Sequence, residues 1–395
     1  MKNRFFIITA ILYFLLCVGN NLIHPITTPF LQNFLQVDDV YFGIYYSLMS
    51  FGLSIGAILC ARLSKKIPYK LLIMIGLFGY ALFQLLFGFV GIDPNLIIVW
   101  RFFSGLFVAL PNTLFLVIAV EKLEPESRVK GLMLMTALNI LGVAVGYEIG
   151  GLMYDYVFQN FHASFILQGA WCVSCGILSF ILLDNNKGKE KNNNKKDGFI
   201  FKKLKPYHYI FFIVLFLFST ASVTINKFFE PFFQTIENQK FTSSDLAHFT
   251  LLTSASGMIA NLVLIPFLKN NKKIKYDVVL TILFIVSSLL IGITFSFSGS
   301  ILLIMLFTLY LIYTIIRNIV PPLEQNIIVD GVNNEDVSSV LSIRQSILSF
   351  GQAIGPLIFT NVFAINMNLT FYLGSILYFL AFILMIIYLK IRKNR

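Results

Sequence analysis

Twelve runs of mostly apolar residues divide the chain, at approximately 5–25, 41–61, 70–90, 95–119, 131–153, 164–183, 208–230, 245–268, 277–296, 299–324, 338–362 and 369–390. A bilayer core about 30 Å thick takes roughly 20 residues of α-helix to cross, so the pattern predicts twelve membrane-spanning helices. The runs are continuous and lack the alternation of a β-barrel, and helices satisfy their own backbone groups inside lipid. The chain therefore reads as an all-α membrane protein. Lys2 and Arg4 before the first run resemble a secretory leader, but that run is too long for one and no small-x-small cleavage site follows. It is read as a retained helix.

Composition agrees with the pattern: 57% of the residues are hydrophobic and 12% charged, too little polar surface to coat a water-soluble globule. The net charge of +11 raises the question of a nucleic-acid partner, and its placement answers it. Of 30 Lys and Arg, 25 fall in loops and ends on one side of the twelve-helix arrangement and only Lys240 on the other. That asymmetry is the positive-inside rule. It predicts both termini in the cytoplasm, an inner-membrane location and no nucleic-acid partner.

Asp184 to Lys205 breaks the rhythm with Asn- and Lys-rich sequence that cannot bury a core. It is read as a basic cytoplasmic linker, 184–206, between a six-helix bundle at 1–183 and another at 207–395. The halves resemble copies. Asn20 to Pro25 (NNLIHP) matches Asn226 to Pro231 (NKFFEP) at an offset of 206, and Lys65 to Lys70 matches Lys272 to Asp277 at 207. Gly142 and Gly146 fall opposite Gly351 and Gly355 at 209, which also sets Glu121 opposite Asp330. Such internal repeats build many secondary transporters, and two six-helix pseudo-symmetric halves are expected.

With these residues in view, the chain resembles the major facilitator superfamily over essentially its whole length, and within it the twelve-helix drug/proton antiporter branch. Arg101, Gly105 and Ala109 fit that branch's helix-4 pattern Arg-x-x-x-Gly-x-x-x-Ala. Gly142, Gly146, Gly150 and Gly151 fit its helix-5 pattern Gly-x3-Gly-Pro-x2-Gly-Gly, with Tyr147 where the proline belongs, and Gly19 and Pro25 fit its helix-1 spacing. The loop between the second and third helices departs from the family: Lys65 replaces its acidic residue and Pro68 its glycine. The resemblance implies that the stripe Gly142, Gly146 and Gly150 packs at the interface between the halves.

Ionisable groups inside the membrane are costly, about 3 kcal/mol or more at its centre, and so default to functional candidates with partners. Arg101 and Glu148 are assigned to proton coupling, on the expectation that they pair as the halves move. Asn20, Asn21, His24, Asn226, Lys227 and Glu230 are assigned to substrate binding near a central cavity, with Phe228, Phe229, Phe232 and Phe233 lining it. Lys227 and Glu230 are also spaced to neutralise each other on one helix face. Arg317, Glu324 and Arg344 are expected to form one inner charged network.

The Cys172/Cys175 pair lies inside a predicted span, where cysteines usually act as small hydrophobes. No P-loop or HExxH motif occurs, so neither ATP hydrolysis nor catalysis is expected, and no metal or cofactor. The function expected is export of small amphipathic or lipophilic compounds by proton antiport, by a monomer whose partners are its small-molecule substrate, protons and the lipid bilayer. A nutrient or metabolite symporter, a uniporter or a lipid flippase of the same fold is the alternative.

Overall fold

The computed structural model describes residues 2–89, 93–123, 125–185, 206–235, 241–270, 275–329 and 337–393. Most of the expected linker, together with Lys195, Lys240, Lys272 and Asp330, lies outside the described residues. Among the described residues every regular element is a helix. Twelve helices are long and apolar enough to cross a membrane: α1 (Arg4–Phe34), α2 (Val40–Leu63), α3 (Tyr69–Gly88), α4 (Pro94–Ala119), α5 (Leu134–Phe158) and α6 (Phe161–Leu182), then α7 (Tyr207–Gln234), α8 (Ser243–Val263), α9 (Tyr276–Thr294), α10 (Gly299–Ile328), α11 (Ile343–Ile365) and α12 (Met367–Lys393). An even number of crossings leaves both chain ends at one end of the bundle, the terminal end. The other is called the distal end.

Local chemistry sets several helix starts. The Asp38 carboxylate accepts the Tyr41 N–H at 2.8 Å before α2, and Asp93 accepts the Asn95 N–H at 2.9 Å before α4. Asn160 does the same for His162, at 2.8 Å, where α6 begins. Each cap satisfies an orphan donor of the first turn.

The bundle has two six-helix halves with matching internal contacts. α1 packs on α5, α2 on α4 and α3 on α6; in the same way α7 packs on α11, α8 on α10 and α9 on α12. The halves meet mainly where α2 lies along α11 and α5 along α8.

The glycine stripe shows how close these contacts are, and it corrects one expectation. Gly142, Gly146 and Gly150 do not face the other half: they receive α1 of their own half. A Cβ on Gly142 would lie 2.5 Å from Cys17 Cβ, one on Gly146 would lie 2.5 Å from the Val18 carbonyl oxygen, and one on Gly150 would overlap the Leu22 carbonyl. The repeat partners Gly351 and Gly355 receive α7 in the same manner, with Phe216 and Thr220 carbonyls 2.8 and 3.0 Å from their would-be Cβ atoms. Small residues permit such approach between helices that no hydrophobic effect drives together in lipid. The α5 glycine that does meet the second half is Gly151, beside Ser243 and Ala247 of α8.

Candidate functional site

Proline has no N–H and its ring collides with the preceding turn, and Pro25 interrupts α1 accordingly. The helix breaks at Leu22 and Ile23 and resumes at His24. The break places the His24 ring against two tyrosines of other helices. It stacks on Tyr147 of α5 at 5.6 Å between centroids and 13°, and on Tyr46 of α2 at 6.3 Å and 11°.

Facing this aromatic group is α7 of the second half. Lys227 Nζ lies 3.1 Å from His24 Nδ1, 2.9 Å from Glu230 Oε1 and 4.6 Å from the centre of the Tyr46 ring. An ammonium only donates, so His24 Nδ1 accepts. Glu230 is 3% exposed. Its Oε1 accepts from Tyr147 Oη at 2.8 Å and its Oε2 from Tyr46 Oη at 3.0 Å. One buried carboxylate of the second half is thus held by two hydroxyls of the first and by the lysine one turn earlier on its own helix.

Further ties close the same seam nearer the distal end. Asp155 Oδ2 accepts the Ser244 N–H at 2.7 Å and its hydroxyl at 2.5 Å, joining α5 to α8. Glu148 pairs with His248 of α8 at 2.9 Å, with side chains 22% and 54% exposed. Toward the terminal end, Ser54 Oγ of α2 contacts the Ser346 carbonyl and hydroxyl of α11 at 3.1 and 3.0 Å. Beside that contact a groove of about 400 Å³ runs between α2, α7 and α11, walled by Phe212, Phe216 and Phe350.

The expected pairing of Arg101 with Glu148 is not present. Glu148 lies at the partly exposed edge of α5 and reaches His248, because its neighbour Tyr147 takes the inward direction. Arg101 is buried within the first half, 1% exposed. Its guanidinium bonds the Tyr45 hydroxyl, lies 4.1 Å from the centre of that ring, and touches Met49 Sδ at 3.6 Å. The expected three-membered inner network also divides. Arg344 binds the fully buried Glu324 through both carboxylate oxygens, while Arg317 donates to Asn226 Oδ1 at 2.6 Å instead.

Of the residues assigned to substrate binding, His24, Lys227 and Glu230 meet, and Asn226 joins through Arg317, which lies in electrostatic reach of Lys227. Asn21 does not join them: its amide returns to the Cys17 carbonyl of its own helix, at 2.7 Å. Asn20 Oδ1 is buried without a partner. Instead of lining a cavity, Phe228, Phe229, Phe232 and Phe233 are packed into an aromatic core, Phe229 stacking on Tyr310 at 4.3 Å and Phe228 meeting Phe363 at 4.7 Å with the rings tilted by 30°.

Sequence reasoning missed Tyr46 and Tyr147. For Tyr147 a signal existed, since it occupies the place of the branch's helix-5 proline. Its repeat counterpart at the offset of 209 is Pro356, so the second half keeps the proline that the first has exchanged for a hydroxyl. For Tyr46 there was none, because nothing local marks one tyrosine among 17.

A twelve-helix bundle in two matched halves, with a buried carboxylate of one half bonded to hydroxyls of the other across the seam, defines a multi-pass membrane carrier. The Major Facilitator Superfamily profile matches residues 9–330. The chain belongs to that family, and it is a transporter rather than an enzyme. It is similar to Multidrug resistance protein 1 of Bacillus subtilis (strain 168), at 23% identity over 375 residues that cover 92% of this chain and 90% of that one. Among solved structures, the nucleoside transporter NupG matches with a TM-score of 0.76 at 13% identity, covering 97% of this chain and 99% of that one. The human organic anion transporter MFSD10 (TETRAN) matches at 0.72 and 15% identity, with coverages of 97% and 99%. The E. coli fucose:proton symporter FucP matches at 0.70 and 18% identity, with coverages of 97% and 98%.

Proposed function

We propose that the chain exports small amphipathic or lipophilic compounds in exchange for protons, by rocking one six-helix half against the other, and that Glu230 is the group through which the two are coupled. The observation that carries this reading is the tie of Glu230 to Tyr46, Tyr147 and Lys227 across the seam. A charged carboxylate holds all three donors. Protonation removes its attraction for the ammonium and one accepting position, so the distal seam loosens. A bound compound that competes for the same donors loosens it as well. The carrier then moves when loaded with a proton or with a compound, and is locked when it holds neither, which is the condition for exchange.

Glu148 is partly exposed and its charge is answered by His248 of α8 at the edge of the seam. Export is supported by the likeness to a multidrug resistance protein, and a lipophilic class of compound by the apolar groove at the α2/α11 seam. The charge asymmetry of the loops supports an inner-membrane setting with the terminal end and the linker in the cytoplasm.

Proteoliposomes holding the full chain test the assignment with a panel of fluorescent lipophilic compounds. Glu230→Gln is expected to abolish accumulation driven by a pH gradient while keeping compound-for-compound exchange, and Glu148→Gln to keep both. Full gradient-driven accumulation in Glu230→Gln would show the assignment to be wrong.

A further inference from the structure

Inside the first half, one tyrosine behind the seam residue Tyr46, a group of polar side chains is buried without partners. Arg101 Nε, both amide atoms of Gln84, Ser104 Oγ and Gln168 Oε1 make no hydrogen bond. Arg101 is 1% exposed and the other three are 0%. They occupy one region. Leu77, Tyr80, Gln84 and Phe87 form the buried stripe of α3, and the Phe87 ring lies 5.6 Å from the Arg101 guanidinium carbon. Ser104 follows Arg101 by one turn on α4. Gln168 of α6 donates to Tyr80 Oη at 3.2 Å, and Tyr80 lies in electrostatic reach of Arg101 and Tyr45.

A polar atom left unsatisfied at membrane depth costs several kcal/mol, so the group needs a filler. Water alone would serve the amide oxygens of Gln84 and Gln168. It does not answer the charge. A guanidinium does not lose its proton in a protein, and the contacts of Arg101 are a phenol hydroxyl, a thioether and two aromatic faces, all neutral. Glu230, which shares the surroundings of Tyr45 with Arg101, is bonded to Tyr46, Tyr147 and Lys227 instead, and a buried charge without a bonded counter-charge is the expensive case. The free donors, the Arg101 Nε–H, the Gln84 amide N–H pair and the Ser104 hydroxyl, are of the kind an anion binds.

We infer that the interior of the first half holds a small anion, bound by Arg101, Gln84 and Ser104, with water completing the shell at the amide oxygens. The shared chemistry is one compact negative charge, supplied either by a halide from solution or by the carboxylate of a transported compound.

Thermal unfolding of the purified full chain separates these sources. Sodium chloride, sodium bromide and sodium benzoate are each titrated against the bulky, strongly hydrated gluconate at constant ionic strength. A saturable rise in unfolding temperature with both halides assigns the site to a free halide. A rise with benzoate and none with halides assigns it to a compound's carboxylate. In either case Arg101→Gln abolishes the effect, and Gln84→Leu, which keeps the side-chain volume nearly unchanged, weakens the apparent affinity by about tenfold to a hundredfold, the worth of one hydrogen bond to a charged group. Equal stability in all the salts overturns the inference. So does an anion effect that Gln84→Leu leaves unchanged.

Discussion

At the scale of single residues, the seam is held by charges that have little freedom to be anything else. Tyr46 and Tyr147 each give Glu230 one hydrogen bond across the halves. A bond to a charged group contributes about 1.5–3 kcal/mol, so Tyr147→Phe should raise the population open at the distal end by about tenfold or more. Reactivity of a cysteine replacing Ser243, buried at the distal seam against Gly151, toward a water-soluble thiol reagent reads that population, and an unchanged rate would deny Tyr147 its part in the lock. The Glu324–Arg344 pair is a structural counterpart at 0% and 5% exposure. Removing one partner of a buried pair strands the other, so Arg344→Ala should cost about 3–5 kcal/mol. The double variant Glu324→Leu/Arg344→Met should recover much of that loss in thermal unfolding. If the double variant is as unstable as the single one, the pair has a function besides mutual neutralisation.

At the scale of helices, the sequence was informative where lipid or backbone chemistry dictates the answer. All twelve spans were legible because a membrane crossing requires an apolar run of fixed length, and the break in α1 was foreshadowed by Pro25. The faces of the helices were less legible. A stripe at Gly142, Gly146 and Gly150 declares a close approach but does not say to which helix, and α1 rather than the other half receives it. The same limit bears on the two glutamates, of which the sequence points to Glu148 for proton coupling whereas the proposed function gives that role to Glu230. Reading along one helix shows Lys227 beside Glu230 and nothing beside Glu148, whereas the partners that decide the matter, Tyr46, Tyr147 and His248, belong to other helices. Because the Leu22 carbonyl fills the space over Gly150, Gly150→Val must force α1 and α5 apart. Overpacking of this kind costs about 1–3 kcal/mol or more, and thermal unfolding should fall accordingly. Wild-type stability in this variant would mean that α1 is not seated on the stripe.

At the scale of the whole molecule, the proposed exchange requires a charged, unloaded Glu230 to keep the distal ends of the halves together. Repeat offsets in the sequence pointed to α1 and α7 as equivalents, and the seam indeed joins His24 of one to Lys227 of the other. What no repeat could supply was the closed distal end itself, which arises from contacts between unlike residues of the two copies. The four native cysteines are buried, so spin labels can be attached selectively at cysteines replacing the exposed Asn160 and Asn366, which lie at the distal end on opposite halves. Pulsed electron resonance then gives the distance between the halves directly. The predicted result is a short distance for the unloaded protein at alkaline pH, a longer component that grows as pH falls, and that longer component at every pH in Glu230→Gln. A Glu230→Gln protein that keeps the short distance at alkaline pH would contradict the account.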